Sequence, residues 1–139
     1  MSDQNQQIIP MLSYEDGVAA MEWLCRVFGF AEKARSLDEN GMLAHGEITL
    51  GDGIVMLASP TPDYQSPKRH REICKDTAKF YEVPYIINGI LVLVDNVEKH
   101  YQSAKENGAV ILSPLVNSGP GWSYRAEDLE GQRWMFLQR

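Results

Sequence analysis

His45 and Glu47 stand two residues apart in "LAHGEITL", and alternation along a strand would carry both, with Thr49, onto one face. An imidazole beside a carboxylate forms an acid–base pair, because His titrates near neutrality and can take or give a proton there. The same spacing also describes an ordinary cross-strand polar pair on a half-exposed sheet, and both readings stand at this point. His70 lies in a basic stretch, and His100 lies beside Lys99 in a helical pattern; both read as solvated surface residues. Cys25, between Leu24 and Arg26, reads as packed. Cys74 has Lys and Arg neighbours, which lower a thiol pKa. No Ser–His–acid grouping can be assembled, and "GDG" is a hairpin signal rather than a phosphate cradle. The aromatics are more informative. Trp122, Tyr124 and Trp134 cluster near the end of the chain, with Arg125 and Glu127 alternating around them as polar anchors.

The elements that must position these groups come in two matching sets. Ile8 to Tyr14 reads as a strand, and "EDGVAAMEWLCRVFGF" as a helix stopping at Gly29, a residue suited to a left-handed cap. Then follow "AEKARSL", a turn at "DENG", "MLAHGEITL", a turn at "GDG", and "IVMLAS". From Ile86 the order recurs: the strand "IINGILVLV", the helix "DNVEKHYQSAKENG", the strand "AVILSPLV", a turn at "NSGPG", "WSYRAE", a turn at "DLEG", and "QRWMFLQ". Asp16 and Gly29 are 13 positions apart, as are Asp95 and Gly108. Gly29 to Gly41 and Gly29 to Gly53 match Gly108 to Gly119 and Gly108 to Gly131 to within one residue. We read an internal duplication, two β-α-β-β-β modules at about 8–58 and about 86–138 within a single domain spanning 1–139. The connector at about 59–85 is long, and its basic run "PKRHREICK" reads as a solvated linker or as a lid.

Composition narrows the partners. Thirteen basic against nineteen acidic residues give a net charge of −6, which argues against a nucleic-acid partner and suits a cationic small molecule. No apolar run approaches the roughly 18–20 residues of a membrane span. The opening "MSDQNQQ" lacks the basic-then-apolar plan of a signal peptide, and two cysteines make no disulfide framework. A cytoplasmic protein without membrane partners is the expectation.

Paired modules with this punctuation resemble the vicinal-oxygen-chelate superfamily, which includes glyoxalase I, extradiol dioxygenases and bleomycin-resistance proteins. "MLSYEDGVAAMEWLCRVFGF" is similar to the family's first-module opening, "NGILVLVDNVEKHYQSAKENGAVIL" to its second, and "YRAEDLEGQRWMF" to its common ending. Leu129 and Gln132 depart from the usual Pro and His of that ending. The resemblance implies an α+β fold, each module a curled mixed sheet, and a homodimer with each ligand cup built from modules of both chains.

Metal-dependent members hold a divalent ion with two ligands from each module. By that resemblance the ligand positions fall at Ile9 or Pro10, Met56 or Leu57, Gly89 or Asn88, and Met135. Such side chains do not hold a divalent ion that wants imidazole and carboxylate donors. The expectation is therefore no metal and no cofactor. Met56 and Met135, with Trp122, Tyr124, Arg125 and Trp134, are expected to line an aromatic cup that sequesters a cationic or aromatic small molecule. The alternative is an isomerase or lyase that acts without the usual metal, using His45 and Glu47.

Overall fold

The computed structural model describes residues 6–85, 88–117 and 119–139. The expected start of the second module at Ile86, the N-terminal tail and Ser118 of the "NSGPG" turn lie outside the described residues. The chain is α+β and divides into two compact units, one reaching to Tyr64 and one beginning at Gln65. Each contains the strand–helix–three-strand order expected from the repeat. Among the described residues, no helix is long and apolar enough to cross a membrane.

The first unit consists of β1 (Met11–Ser13), α1 (Gly17–Phe28), β2 (Ala31–Leu37), β3 (Leu43–Leu50) and β4 (Gly53–Ala58). Its sheet runs β1-β4-β3-β2, with β1 parallel to β4 and the other pairs antiparallel. α1 begins where the Asp16 carboxylate accepts the Ala19 N–H at 3.1 Å, and stops at Gly29, whose φ is +82°. Ala20, Met21, Leu24, Val27 and Phe28 are buried at helical spacing, so the helix shows one apolar stripe to the sheet. It sits on β3 so closely that a Cβ at Gly46 would lie 2.6 Å from the Met21 sulfur. That contact fixes the faces. Gly46 and Ile48 lie under the helix, whereas His45 and Glu47 point the other way.

The second unit's module comprises β5 (Gly89–Val94), α4 (Val97–Glu106), β6 (Val110–Asn117), β7 (Trp122–Glu127) and β8 (Arg133–Gln138). Its order, β5-β8-β7-β6, repeats the first, again with one parallel pair. Trp134 and Phe136 alternate with Met135 along β8, and they carry the core under α4. Burying each such ring contributes roughly 1.5–3 kcal/mol. α4 is capped by Asn96, which accepts the Lys99 N–H at 3.1 Å.

The hairpin turns also differ between modules in a way the glycine spacing conceals. In "DENG" the Asp38 carboxylate accepts the N–H groups of Asn40 and Met42. In "DLEG" the Asp128 carboxylate accepts those of Glu130 and Gln132 in the same pattern. The first of these turns joins the second and third strands of its module, and the second joins the third and fourth. One turn design thus closes non-equivalent hairpins.

The connector is folded. α2 (Pro67–Ile73) and α3 (Lys75–Phe80) occupy about half of it and belong to the second unit. Ser66 caps α2 by accepting the Arg69 N–H, and Pro67 supplies the pre-set first helical position. The Lys68 N–H donates to the Glu130 carbonyl at 2.9 Å, docking α2 onto the "DLEG" turn.

Candidate functional site

In the first unit, the face of the sheet away from α1 holds His45 and Glu47 together. His45 Nε2 lies 2.7 Å from Glu47 Oε2, and Lys33 Nζ lies 3.9 Å from the other carboxylate oxygen. Met56 pairs with Glu47 across the β3–β4 ladder, and Met11 pairs with Met56 across β1–β4. Register therefore lays Met11, Met56 and Glu47 in one row. The His45 side chain is 45% exposed and that of Glu47 19%, so the pair stands open to solvent.

In the second unit, the face away from α4 holds Leu91, Met135 and Arg125 in the equivalent row, as the ladders pair Leu91 with Met135 and Met135 with Arg125. A cavity of about 150 Å³ opens over this row, bounded by Pro84, Tyr85, Leu91, Arg125, Arg133 and Met135. None of its lining residues is a carboxylate. Arg125 is half-buried, and among the described residues it has no acidic partner.

The wall made by Pro84 and Tyr85 is held in place by a charge cluster. Glu127, 1% exposed, receives Arg71 at 2.6 and 2.8 Å and Arg133 Nε at 3.1 Å. The Arg133 guanidinium also donates to the Tyr81 and Val83 carbonyls, both at 2.6 Å. Arg71 and Arg133 both lie over the Tyr81 ring, at 5.1 and 4.9 Å from its centre. Partial burial pushes the Tyr81 phenol up, and the Glu127 carboxylate holds the Arg71 guanidinium above its ordinary value. The Glu127 carboxylate is thus shared by two guanidinium groups.

The expected aromatic wall is arranged differently. Tyr124 and Trp134 are each 1% exposed and belong to the core. Tyr124 stacks on Phe136 and approaches His100 Nδ1 to 2.6 Å, and burial drives its phenol pKa well upward. Trp134 donates its indole N–H to Asp128 at 3.1 Å, so its ring braces the "DLEG" turn and only borders the cavity. Trp122, 50% exposed, shares the alternation of Tyr124, which faces α4, and not that of Arg125. The structure thus joins Arg125 with Met135, with Trp134 at the border of the same cavity, sets Met56 with His45 and Glu47 in the other unit, and leaves Tyr124 and Trp122 away from it. Glu127, read as an anchor for a ligand, is consumed by Arg71 and Arg133. His100, read as solvated, packs on Phe136 with ring centres 4.2 Å apart. Cys25 has its thiol pushed up, chiefly by burial, and Cys74 has its thiol lowered, chiefly by a hydrogen bond with Thr77.

At the ligand positions that the resemblance implies stand Ile9 or Pro10, Met56 or Leu57, Gly89 or Asn88, and Met135, none of which carries an imidazole or a carboxylate. Among the described residues, no three His, Cys, Asp or Glu side chains are grouped to hold a metal. Sequence reasoning missed Tyr81, Pro84, Tyr85 and Leu91 altogether. Only the "SP" opening of α2, a cap followed by a first-position proline, signalled that the connector was folded.

The sequence profile of the Glyoxalase/Bleomycin resistance protein/Dioxygenase superfamily matches residues 10–136. Among solved structures, TioX from Micromonospora sp. ML1 is similar with a TM-score of 0.70 and 28% identity, over 96% of both chains. A glyoxalase/bleomycin resistance protein from Streptomyces sp. CB03234 superposes with a TM-score of 0.67 at 15% identity, over 94% of this chain and 97% of that one. A glyoxalase/bleomycin resistance protein/dioxygenase from Alicyclobacillus acidocaldarius gives 0.66 at 12% identity, over 99% and 94%. Among curated proteins there is no match.

Proposed function

Because the chain belongs to the glyoxalase/bleomycin resistance protein/dioxygenase superfamily, we propose that it is a small-molecule-binding member working without the usual divalent ion. The observation that carries this reading is the row Leu91–Met135–Arg125 beneath the cavity. Where a metal site needs carboxylate and imidazole donors, this sheet offers a thioether and an aliphatic chain, which are contact surface. The same reading includes a homodimer, supported by apolar side chains left uncovered in each unit: Ile8 and Met11 in one, Leu93 and Val116 in the other.

The test is metal content by mass spectrometry on untagged protein purified without chelators and then soaked in Zn, Ni, Mn or Fe(II). Bound metal far below one equivalent per chain is the expected result. Near one equivalent per chain would overturn the metal-free reading. Sedimentation at several concentrations checks the dimer, and a monomer throughout would remove it.

A second reading rests on the 2.7 Å contact of His45 with Glu47. The pair would serve an isomerase or lyase as base and orienting carboxylate. Positioned general bases contribute about 10²–10⁴-fold, so any such turnover should fall by about that factor in His45→Ala. Unchanged turnover in that variant eliminates His45 as the base.

A further inference from the structure

The cavity of the second unit carries its own charge signature. Resting on the small-molecule reading above, we infer that it is a receptor for a small planar carboxylate, with Arg125 as the counter-ion and Met135, Leu91 and Tyr85 around the apolar body. Four observations combine. First, the space of about 150 Å³ is the size of a single-ring molecule. Second, Arg125 lines that space half-buried, with no acidic partner among the described residues. A half-buried guanidinium gains from a charge-assisted partner, and its planar fork matches a carboxylate. Third, the carboxylate beside the other cation on the wall, Arg133, is Glu127, and Arg71 and Arg133 already occupy it, so it does not compete for Arg125. Fourth, in a chain of net charge −6 this pocket is lined by no Asp or Glu and by the unengaged cation Arg125.

The apolar part of the site comes from Met135, Leu91 and Tyr85. Met135 rises from the floor as a flexible, polarizable thioether. Leu91, 56% exposed, and the Tyr85 ring, 72% exposed, present apolar surface that no described residue covers. Arg133 fixes the height of the wall by gripping the Tyr81 and Val83 carbonyls just before Pro84 and Tyr85. The sequence-level expectation of a cationic ligand, drawn from net charge, is therefore reversed at this cavity.

Benzoate, benzamide and benzamidine form a test series of nearly constant shape and of negative, zero and positive charge. Titrating each into full-length protein labelled with 13C-methyl methionine reads the Met135 methyl resonance, with Met56 as a reference in the other unit. Benzoate should shift Met135 and bind roughly tenfold or more tightly than benzamide, the advantage typical of a charged hydrogen-bond partner. Arg125→Met should erase that preference, and Arg125→Lys, which keeps the charge without the fork, should keep part of it. Benzamide or benzamidine binding as well as benzoate would overturn the carboxylate assignment while leaving small-molecule binding intact. No response of Met135 to any of the three would overturn both.

Discussion

The two terminal nitrogens of Arg71 lie 2.6 and 2.8 Å from the two carboxylate oxygens of Glu127, 56 positions further along the chain. This fork-to-fork pair, almost fully buried on the Glu127 side, turns a long connector into part of the second unit. The same carboxylate also receives Arg133, which is 3% exposed.

Replacing Glu127 by Gln removes that charge and strands a buried guanidinium. Breaking a buried ion pair from one side costs about 3–5 kcal/mol, and a loss in that range is expected here. Urea unfolding measures it. Hydrogen exchange should quicken across α2, α3 and residues 81–85, because the anchor for that whole stretch is gone. A loss below about 1 kcal/mol, the scale of an exposed pair, would show that the cluster contributes little.

Gly41 and Gly131 end two turns of the same design, with φ of +81° and +90°. Their surroundings differ. A Cβ at Gly41 meets nothing within 4 Å, whereas at Gly131 it would lie 2.8 Å from the Lys68 backbone nitrogen. Gly41→Ala should therefore cost only the left-handed backbone penalty of about 1–2 kcal/mol. Gly131→Ala should cost about 1–3 kcal/mol more, since α2 must shift to admit the methyl. Equal losses in thermal or urea unfolding would mean that α2 does not pack against the turn in solution.

Burial drives the Tyr124 phenol above its ordinary pKa of about 10. In the unfolded chain the phenol ionises at that ordinary value, while in the fold it holds its proton longer. The folded state then binds more protons than the unfolded one above pH about 10, so stability falls as pH rises. The contribution is fully present below the unfolded pKa and is lost as pH climbs towards the folded one. Tyr124→Phe should lose about 1 kcal/mol at neutral pH, from the missing contact with His100, and show a shallower alkaline limb. Urea midpoints taken from pH about 8 to about 11 provide the comparison. Parallel limbs for the two proteins would mean that Tyr124 is accessible to water in the folded state.

The duplication was legible because it is written in local signals. Asp16 and Gly29 cap a helix whatever surrounds it, and a left-handed glycine ends a turn by its own sterics. The His45–Glu47 contact was legible for a similar reason, since residues two apart on a strand share a face by backbone geometry alone. The absence of imidazole and carboxylate at Met56 and Met135 is a matter of residue type and needs no coordinates.

What was not legible depends on which face of a sheet meets its helix. Tyr124 and Arg125 are neighbours in sequence, and the chain does not say which of them the helix covers. His100 and Phe136 decide it, by giving Tyr124 an aromatic partner under α4 and so turning Arg125 towards the cavity. The fate of Glu127 was hidden for the same reason: its partners come from α2 and from the next strand, at separations of 56 and 6 residues. Local chemistry is carried by the sequence, because caps, turns and strand alternation are short-range. Which cation is satisfied and which is left facing a cavity is set by contacts between distant segments, and those exist only once the chain has folded.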